Sequence, residues 1–244
     1  MAGNGRSPLT VAVAQPPCVA YDVAGNAIAH AAAVREAHAR VVVFPELSLT
    51  GYELDAPAVA PGDPALRPIV EACAETGSVA LIGSPVPGDD TGEGGATDRC
   101  IGILAIDGSG ARVAYRKMWL GGAETGMFAA GGDPAAIDVD GHRLGLAVCR
   151  DTGIPQHAID TVALGVDGYV AGVLETWEDG GVPGERSARI ARDHGVWVAI
   201  ASFAGSTGGG YDRAAGRSII RAADGSVAAE AGPEVGAIAR ATIP

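Results

Sequence analysis

Short unbroken apolar runs recur along the chain, and most are followed by a stretch in which apolar positions are spaced rather than continuous. Leu9-Thr-Val-Ala-Val-Ala14 is the first run, and the Ala-rich segment 24–39 behind it has the spacing of an amphipathic helix fed by a strand. Residues 40–44, Arg-Val-Val-Val-Phe, read as a second strand without polar alternation, because a strand covered on both faces needs none. A helix over 64–76 with Gly77 as its C-cap leads into a strand over 79–83. Residues 100–106 and 111–115 flank Asp107-Gly-Ser-Gly110 and predict a hairpin. A second strand pair, 136–139 and 144–148, turns on Asp140-Gly141 and stops immediately before Cys149.

Downstream the pattern predicts a helix at 155–164, a strand at 168–173, a helix at 184–194 and a strand at 196–201. Terminal strands follow at 217–221 and 234–241, and the Gly-rich stretches 89–97 and 205–210 read as loops. Antiparallel pairs thus mix with strand-helix-strand units. Two such halves without a tandem repeat predict a layered α/β sandwich.

Composition narrows the function classes. The chain has 244 residues, 48% of them hydrophobic, enough for one large core, so residues 1–244 are expected to form a single domain with 1–7 as a flexible lead. A net charge of -12 with no local Lys/Arg cluster argues against a nucleic-acid partner. No span approaches the roughly 20 apolar residues of a membrane helix, and residues 9–14 are too short for a signal-peptide core, so no membrane association and a cytoplasmic location are expected. The four cysteines, Cys18, Cys73, Cys100 and Cys149, form no CxxC pair, which argues against a zinc knuckle or a disulfide scaffold and leaves three of them as buried packing. His30, His38, His142, His157 and His194 lack a His-x-x-x-His pair and read as surface or satisfied packing residues, so no metal and no cofactor are expected. Neither a Gly-x-Ser-x-Gly elbow nor a phosphate-binding Gly-Lys loop is present.

Three reactive side chains sit where apolar strands end, the places at which a rigid scaffold presents functional groups. Glu46 follows Val43-Phe-Pro, where partial desolvation raises a carboxyl toward the range of a useful base. Lys117 follows the strand ending at Tyr115-Arg, and a fixed ammonium there suits a carbonyl oxygen becoming an oxyanion. Cys149 stands at a strand-to-helix turn, with its sulfur available to a cleft and the next backbone N–H available to the oxyanion. Together they are the parts of a nucleophilic amidase: a base, a cation and a soft nucleophile, with the ammonium expected to favour thiolate in a group whose free pKa is about 8.5. Tyr52, Trp119 and Trp177 lie just beyond motif or strand ends and are candidates to line a pocket, and Glu175 is a candidate partner for a substrate amine.

The ordered set Phe44-Pro-Glu46 with Leu49-Thr-Gly-Tyr52, Tyr115-Arg-Lys117 with Leu120, and Gly145-Leu-Ala-Val-Cys149-Arg-Asp151 resembles the glutamate, lysine and cysteine motifs of the nitrilase (carbon-nitrogen hydrolase) superfamily, and the resemblance spans almost the whole chain. It implies a four-layer αββα sandwich, commonly a homodimer or higher homo-oligomer. It also implies a cofactor-free hydrolysis in which Glu46 is the base, Lys117 stabilises the oxyanion and Cys149 forms a thioester-type intermediate. Glu124, with Phe128 and Gly131 behind it, resembles a second glutamate of the family that orients substrate or assists proton transfer. Arg150 stands where members commonly carry an aromatic residue and Ser202 where asparagine is frequent. Arg150 is therefore a candidate substrate contact. The Cys-Arg-Asp wording resembles the amidase and carbamoylase branches more than true nitrilases, so a small carboxamide or N-carbamoyl substrate is expected. Nitrile hydrolysis, acyl transfer to an amine, and a non-catalytic binding protein retaining the fold are the alternatives.

Overall fold

The computed structural model describes residues 7–88 and 99–244; the leading residues 1–6 and the acidic loop expected at 89–97 lie outside the described residues. The first half runs β1 (Leu9–Ala14), α1 (Val23–Ala37), β2 (Val41–Val43), α2 (Arg67–Thr76), β3 (Val79–Pro87), β4 (Arg99–Asp107) and β5 (Gly110–Arg116). The second runs β6 (Ala135–Val139), β7 (His142–Val148), α3 (Pro155–Val162), β8 (Gly168–Val173), α4 (Val182–His194) and β9 (Trp197–Ser202). The chain closes with β10 (Ala204–Gly205), β11 (Ala214–Ala215), β12 (Ile219–Arg221), β13 (Val227–Glu230) and β14 (Ile238–Ile243).

Two six-stranded sheets result, ordered β14-β1-β2-β3-β4-β5 and β13-β12-β9-β8-β7-β6, while β10 and β11 pair by themselves. In each sheet three adjacent strands are parallel, β1-β2-β3 and β7-β8-β9, and the flanking strands are antiparallel. Because side chains alternate across a strand, a strand buried on both faces feeds two cores. In β1, Val11 and Val13 enter a core shared with Val170, Leu146 and Ala199 of the other sheet, whereas Ala12 and Ala14 pack with Ala27 and Ala31 of α1. In β8, Val170 faces the shared core, while Tyr169 and Ala171 pack with Ala158 of α3 and Ile190 of α4. Three stacked cores separate four layers, and the fold is the αββα sandwich. Among the described residues no helix is long and apolar enough to cross a membrane.

Most predicted elements stand within a few residues of their expected bounds, and the departures have local causes. The helix expected over 64–76 opens with a separate 3-10 turn at Pro64–Leu66, where Asp63 accepts from the Ala65 N–H at 2.8 Å. Strand β13 was not expected because its residues are mostly exposed and include two alanines, so the apolar signal that marks a buried strand is missing. The two-residue ladder of β10 and β11 brackets the predicted Gly-rich loop.

The chain is tightly enclosed where β2 ends. A Cβ built on Gly83 of β3 would run into the Pro45 carbonyl and come within 2.7 Å of the Glu46 Cα, and one built on Gly172 of β8 would lie 2.5 Å from the Phe44 carbonyl. Residues 44–46 are therefore threaded between a glycine of each sheet, and a side chain at either would displace the backbone that carries Glu46. Gly172→Ala is expected to lower stability by about 1–3 kcal/mol, the range for overpacking. Activity should fall more steeply than stability does; thermal melts paired with initial rates check this, and an unchanged rate would contradict the threading.

Candidate active site

Glu46, Lys117 and Cys149 lie one residue or a few beyond the ends of β2, β5 and β7, and the parallel strands β2 and β7 present their groups at carboxyl ends, where open α/β sheets bind ligands. Local backbone geometry holds each in place. Leu47 and Tyr52 take left-handed φ values of 49° and 66°, so the chain turns sharply after Glu46 and brings the Tyr52 ring back over it. Cys149 itself has φ 42° at the start of a 3-10 turn, Cys149–Gly153. Lys117 is pinned on both sides, its N–H donating to Ile101 O at 2.8 Å and its carbonyl accepting from Gly131 N at 2.8 Å.

The Lys117 ammonium is buried between two carboxylates, 2.7 Å from Glu46 Oε1 and 2.6 Å from Glu124 Oε1. The remaining carboxylate oxygens are also occupied: Tyr52 OH donates to Glu46 Oε2 at 3.1 Å and Gly121 N donates to Glu124 Oε2 at 2.6 Å. Burial raises the Glu46 pKa above the usual carboxylate value, against the opposing pull of Lys117. Burial would lower Lys117, but the charges of Glu46, Cys149 and Glu124 outweigh it and hold the ammonium protonated. Cys149 is half-buried, and its Sγ lies 3.7 Å from Leu174 O.

Burial and then the Glu46 charge push the Cys149 thiol up, with Lys117 opposing. The Lys117 ammonium pulls the thiol toward thiolate, and burial and the Glu46 charge oppose that pull. With burial holding the thiol up, attack requires transfer of its proton to a base.

A second buried group binds the site together. Asp151 accepts from Val148 N and Trp119 N, both at 3.0 Å, and from Tyr115 OH at 2.7 Å. Its carboxylate ties the strand end carrying the nucleophile to the strand end carrying the lysine, across the seam between the sheets. Behind it stands His157, buried and with its pKa lowered by burial. Since the Tyr115 proton is committed to Asp151, His157 Nε2–H donates to Tyr115 O at 2.9 Å and Nδ1 accepts from Tyr169 OH at 2.8 Å. Asp151 and Tyr115 stand within the recognised motifs, but nothing in their spacing signals a contact between residues 36 apart.

The other candidates are placed as follows. Tyr52 touches Glu46. The Trp119 ring packs edge-on against His157 at 5.6 Å, on the Asp151 side of the site. Glu175 is paired with Arg186 at 3.1 Å, and Arg186 also reaches Thr152 Oγ1 at 3.4 Å. One face of Trp177 is covered by the Arg213 guanidinium at 3.3 Å from the ring centre. Arg150 is exposed. Of the cysteines expected as packing, Cys73 and Cys100 are buried and Cys18 is half-buried. His30 is buried within hydrogen-bonding distance of Asn26 O and Ser48 Oγ.

Comparison with known proteins gives the same picture at three levels. A protein of Pseudomonas protegens named "hydrolase in pqqF 5'region" is 29% identical over 238 residues, covering 94% of this chain and 81% of that protein. A cysteine-to-alanine mutant of an amidase from Nesterenkonia in complex with butyramide superposes with a TM-score of 0.83 at 23% identity, over 97% of this chain and 91% of that one. Saccharomyces cerevisiae Nit3, a member of branch 10 of the nitrilase superfamily, superposes with a TM-score of 0.85 at 21% identity, over 100% of this chain and 93% of that one. Residues 10–244 match the family described as carbon-nitrogen hydrolase. With nearly its whole length matched, the chain belongs to the carbon-nitrogen hydrolase family.

Proposed function

We propose that the chain hydrolyses small neutral carboxamides through a thioester on Cys149. The observation that carries this reading is the buried Lys117 ammonium bridging Glu46 and Glu124, together with the free, half-buried Cys149. Glu46 takes the thiol proton as Sγ attacks the carbonyl carbon, and the oxygen that gains charge is stabilised by Lys117 and the backbone N–H after the nucleophile. Glu46 returns that proton to the nitrogen as the C–N bond breaks and ammonia leaves. Water, deprotonated by the same carboxylate, then attacks the thioester and releases a carboxylic acid and the free thiol. Glu124, tied to Gly121 N, holds the lysine in register throughout.

Charge favours a neutral substrate. Glu46 and Glu175 act on Cys149 as negative charges with Lys117 opposing, Glu124 is a further carboxylate on that lysine, and Lys117 and Arg186 are each already paired. An acidic substrate would meet net repulsion, and so would the product acid, which assists its release. The butyramide held by the Nesterenkonia amidase supports a short acyl chain. Intact-protein mass spectrometry with short carboxamides, N-carbamoyl amino acids and nitriles tests the reading. An acyl adduct on Cys149 with ammonia release is expected for the carboxamides; adducts formed only by the other two classes, or by none, would overturn it.

A further inference from the structure

The turn that carries the nucleophile is braced from α4. Within Cys149–Gly153 the buried Thr152 hydroxyl donates at 2.6 Å to the Cys149 carbonyl. With that proton committed the hydroxyl oxygen accepts, and Arg186 Nη1 donates to it at 3.4 Å while also reaching Glu175 Oε1 at 3.1 Å. One turn farther along α4, Arg189 Nη2 donates to the Thr152 carbonyl at 2.7 Å. The hydroxyl and the carbonyl of one residue are thus held by two arginines three positions apart, on one face of the helix. A Cβ built on Gly153 would lie 3.3 Å from the Arg186 guanidinium, so the glycine lets the arginine lie against the turn. A short 3-10 turn has poorer hydrogen-bond geometry than an α-helix, and this one opens on a residue at φ 42°. The side-chain bonds reinforce what the backbone of the turn holds weakly.

We propose that Thr152 is a positioning residue for the oxyanion donor. This role rests on hydrolysis through Cys149 as proposed above, in which the Arg150 N–H stabilises the oxygen that gains charge. The Cys149 carbonyl and the Arg150 N–H belong to one peptide unit, which is planar and trans, so the two point in opposite directions. A bond that fixes the carbonyl therefore aims the N–H. The Arg186 guanidinium polarises the hydroxyl it donates to and makes it a better donor to that carbonyl, so the brace on α4 reaches the oxyanion through Thr152 and a single peptide plane. Thr152 acts through that plane, not on the sulfur or the substrate. Nothing in the order of residues marks it, since its partners on α4 lie 34 and 37 positions away.

Two reactions of the same sulfur separate this role from a merely structural one. Acylation by p-nitrophenyl butyrate passes through a tetrahedral oxyanion before p-nitrophenolate leaves, whereas alkylation by iodoacetamide displaces iodide at a saturated carbon and forms no oxyanion. Parent, Thr152→Val, Thr152→Ala and Thr152→Ser are compared by the burst of p-nitrophenolate and by the rate of iodoacetamide labelling, with Cys149 identified as the modified residue by mass spectrometry. Valine keeps the branched shape and removes the hydroxyl; alanine removes it without placing a methyl group against the carbonyl. Each is expected to slow acylation about tenfold, the upper range for one hydrogen bond and less than the roughly hundredfold or more for deleting an oxyanion donor. Alkylation should be unchanged. Serine restores the hydroxyl and should restore acylation. Equal slowing of both reactions, unchanged acylation in valine and alanine, or no recovery with serine would overturn the proposal. A parent that takes the butyryl group from the ester yet hydrolyses no carboxamide refutes the substrate reading alone, because the two rates still decide the role of Thr152. A parent whose Cys149 takes no butyryl group overturns both.

Discussion

Cys149→Ala is expected to abolish carboxamide turnover, by at least about four orders of magnitude, with the fold intact. The sulfur is the only nucleophile the arrangement offers at the carbonyl: Lys117 is held protonated between two carboxylates, and Glu46 spends its lone pairs on Lys117 and Tyr52. The thiol is half-buried, and its one hydrogen bond is a 3.7 Å contact with Leu174 O, so its loss removes little packing. Alanine also meets the same cost as cysteine at φ 42°. A melting temperature near that of the parent, with no detectable ammonia release and no acyl adduct, is the expected result. Turnover within tenfold of the parent would show that the chemistry runs through another group.

Lys117→Met carries the largest expected effect on stability. Methionine matches the length of the lysine stem, so the change removes charge rather than volume, and leaves Glu46 and Glu124 facing each other in the interior. Breaking a buried pair in this way costs about 3–5 kcal/mol, roughly 10 °C in Tm for a chain of this size. The loss should depend on pH in a definite direction. The Glu46 carboxyl is already raised in the folded protein, so its protonated form is the one favoured by folding. That contribution is present below the ordinary carboxylate range and is lost as pH rises through the folded-state value. Without the ammonium the folded-state value rises further, so the variant should lie closest to the parent in acid and fall furthest behind it near neutrality. Melts at a series of pH values check this, and a deficit that grows in acid would reject the burial argument. Activity at neutral pH should drop by at least about a hundredfold, as for removal of one oxyanion donor.

How much of this was legible in the sequence depends on burial and on distance along the chain. Strand β8 was read at its true bounds because every residue of it is buried, which leaves a continuous apolar run. Strand β13 and the ladder of β10 and β11 were missed because they are exposed or only two residues long, and carry little apolar signal. Glu46, Lys117 and Cys149 stood out because each reactive residue interrupts the end of such a run, and Glu124 through resemblance alone. The burial that pushes the Cys149 thiol up was not legible, since it arises where the layers close and strand patterns do not encode it. The Asp151 carboxylate was invisible as a site component for the same reason: it acts through contacts made only after the layers close.

The strap formed by Asp151 has a further consequence. Glu46 and Lys117 ride on one sheet and Cys149 on the other, and two hydrogen bonds, from Tyr115 OH and Trp119 N to the Asp151 carboxylate, join the two halves at the site. Slippage of a fraction of an ångström along that boundary would leave every strand and helix intact while separating nucleophile from base. Enzymatic rate is thus a strain gauge for the interlayer joint, and under gentle heating or dilute denaturant it should fade before circular dichroism registers any melting.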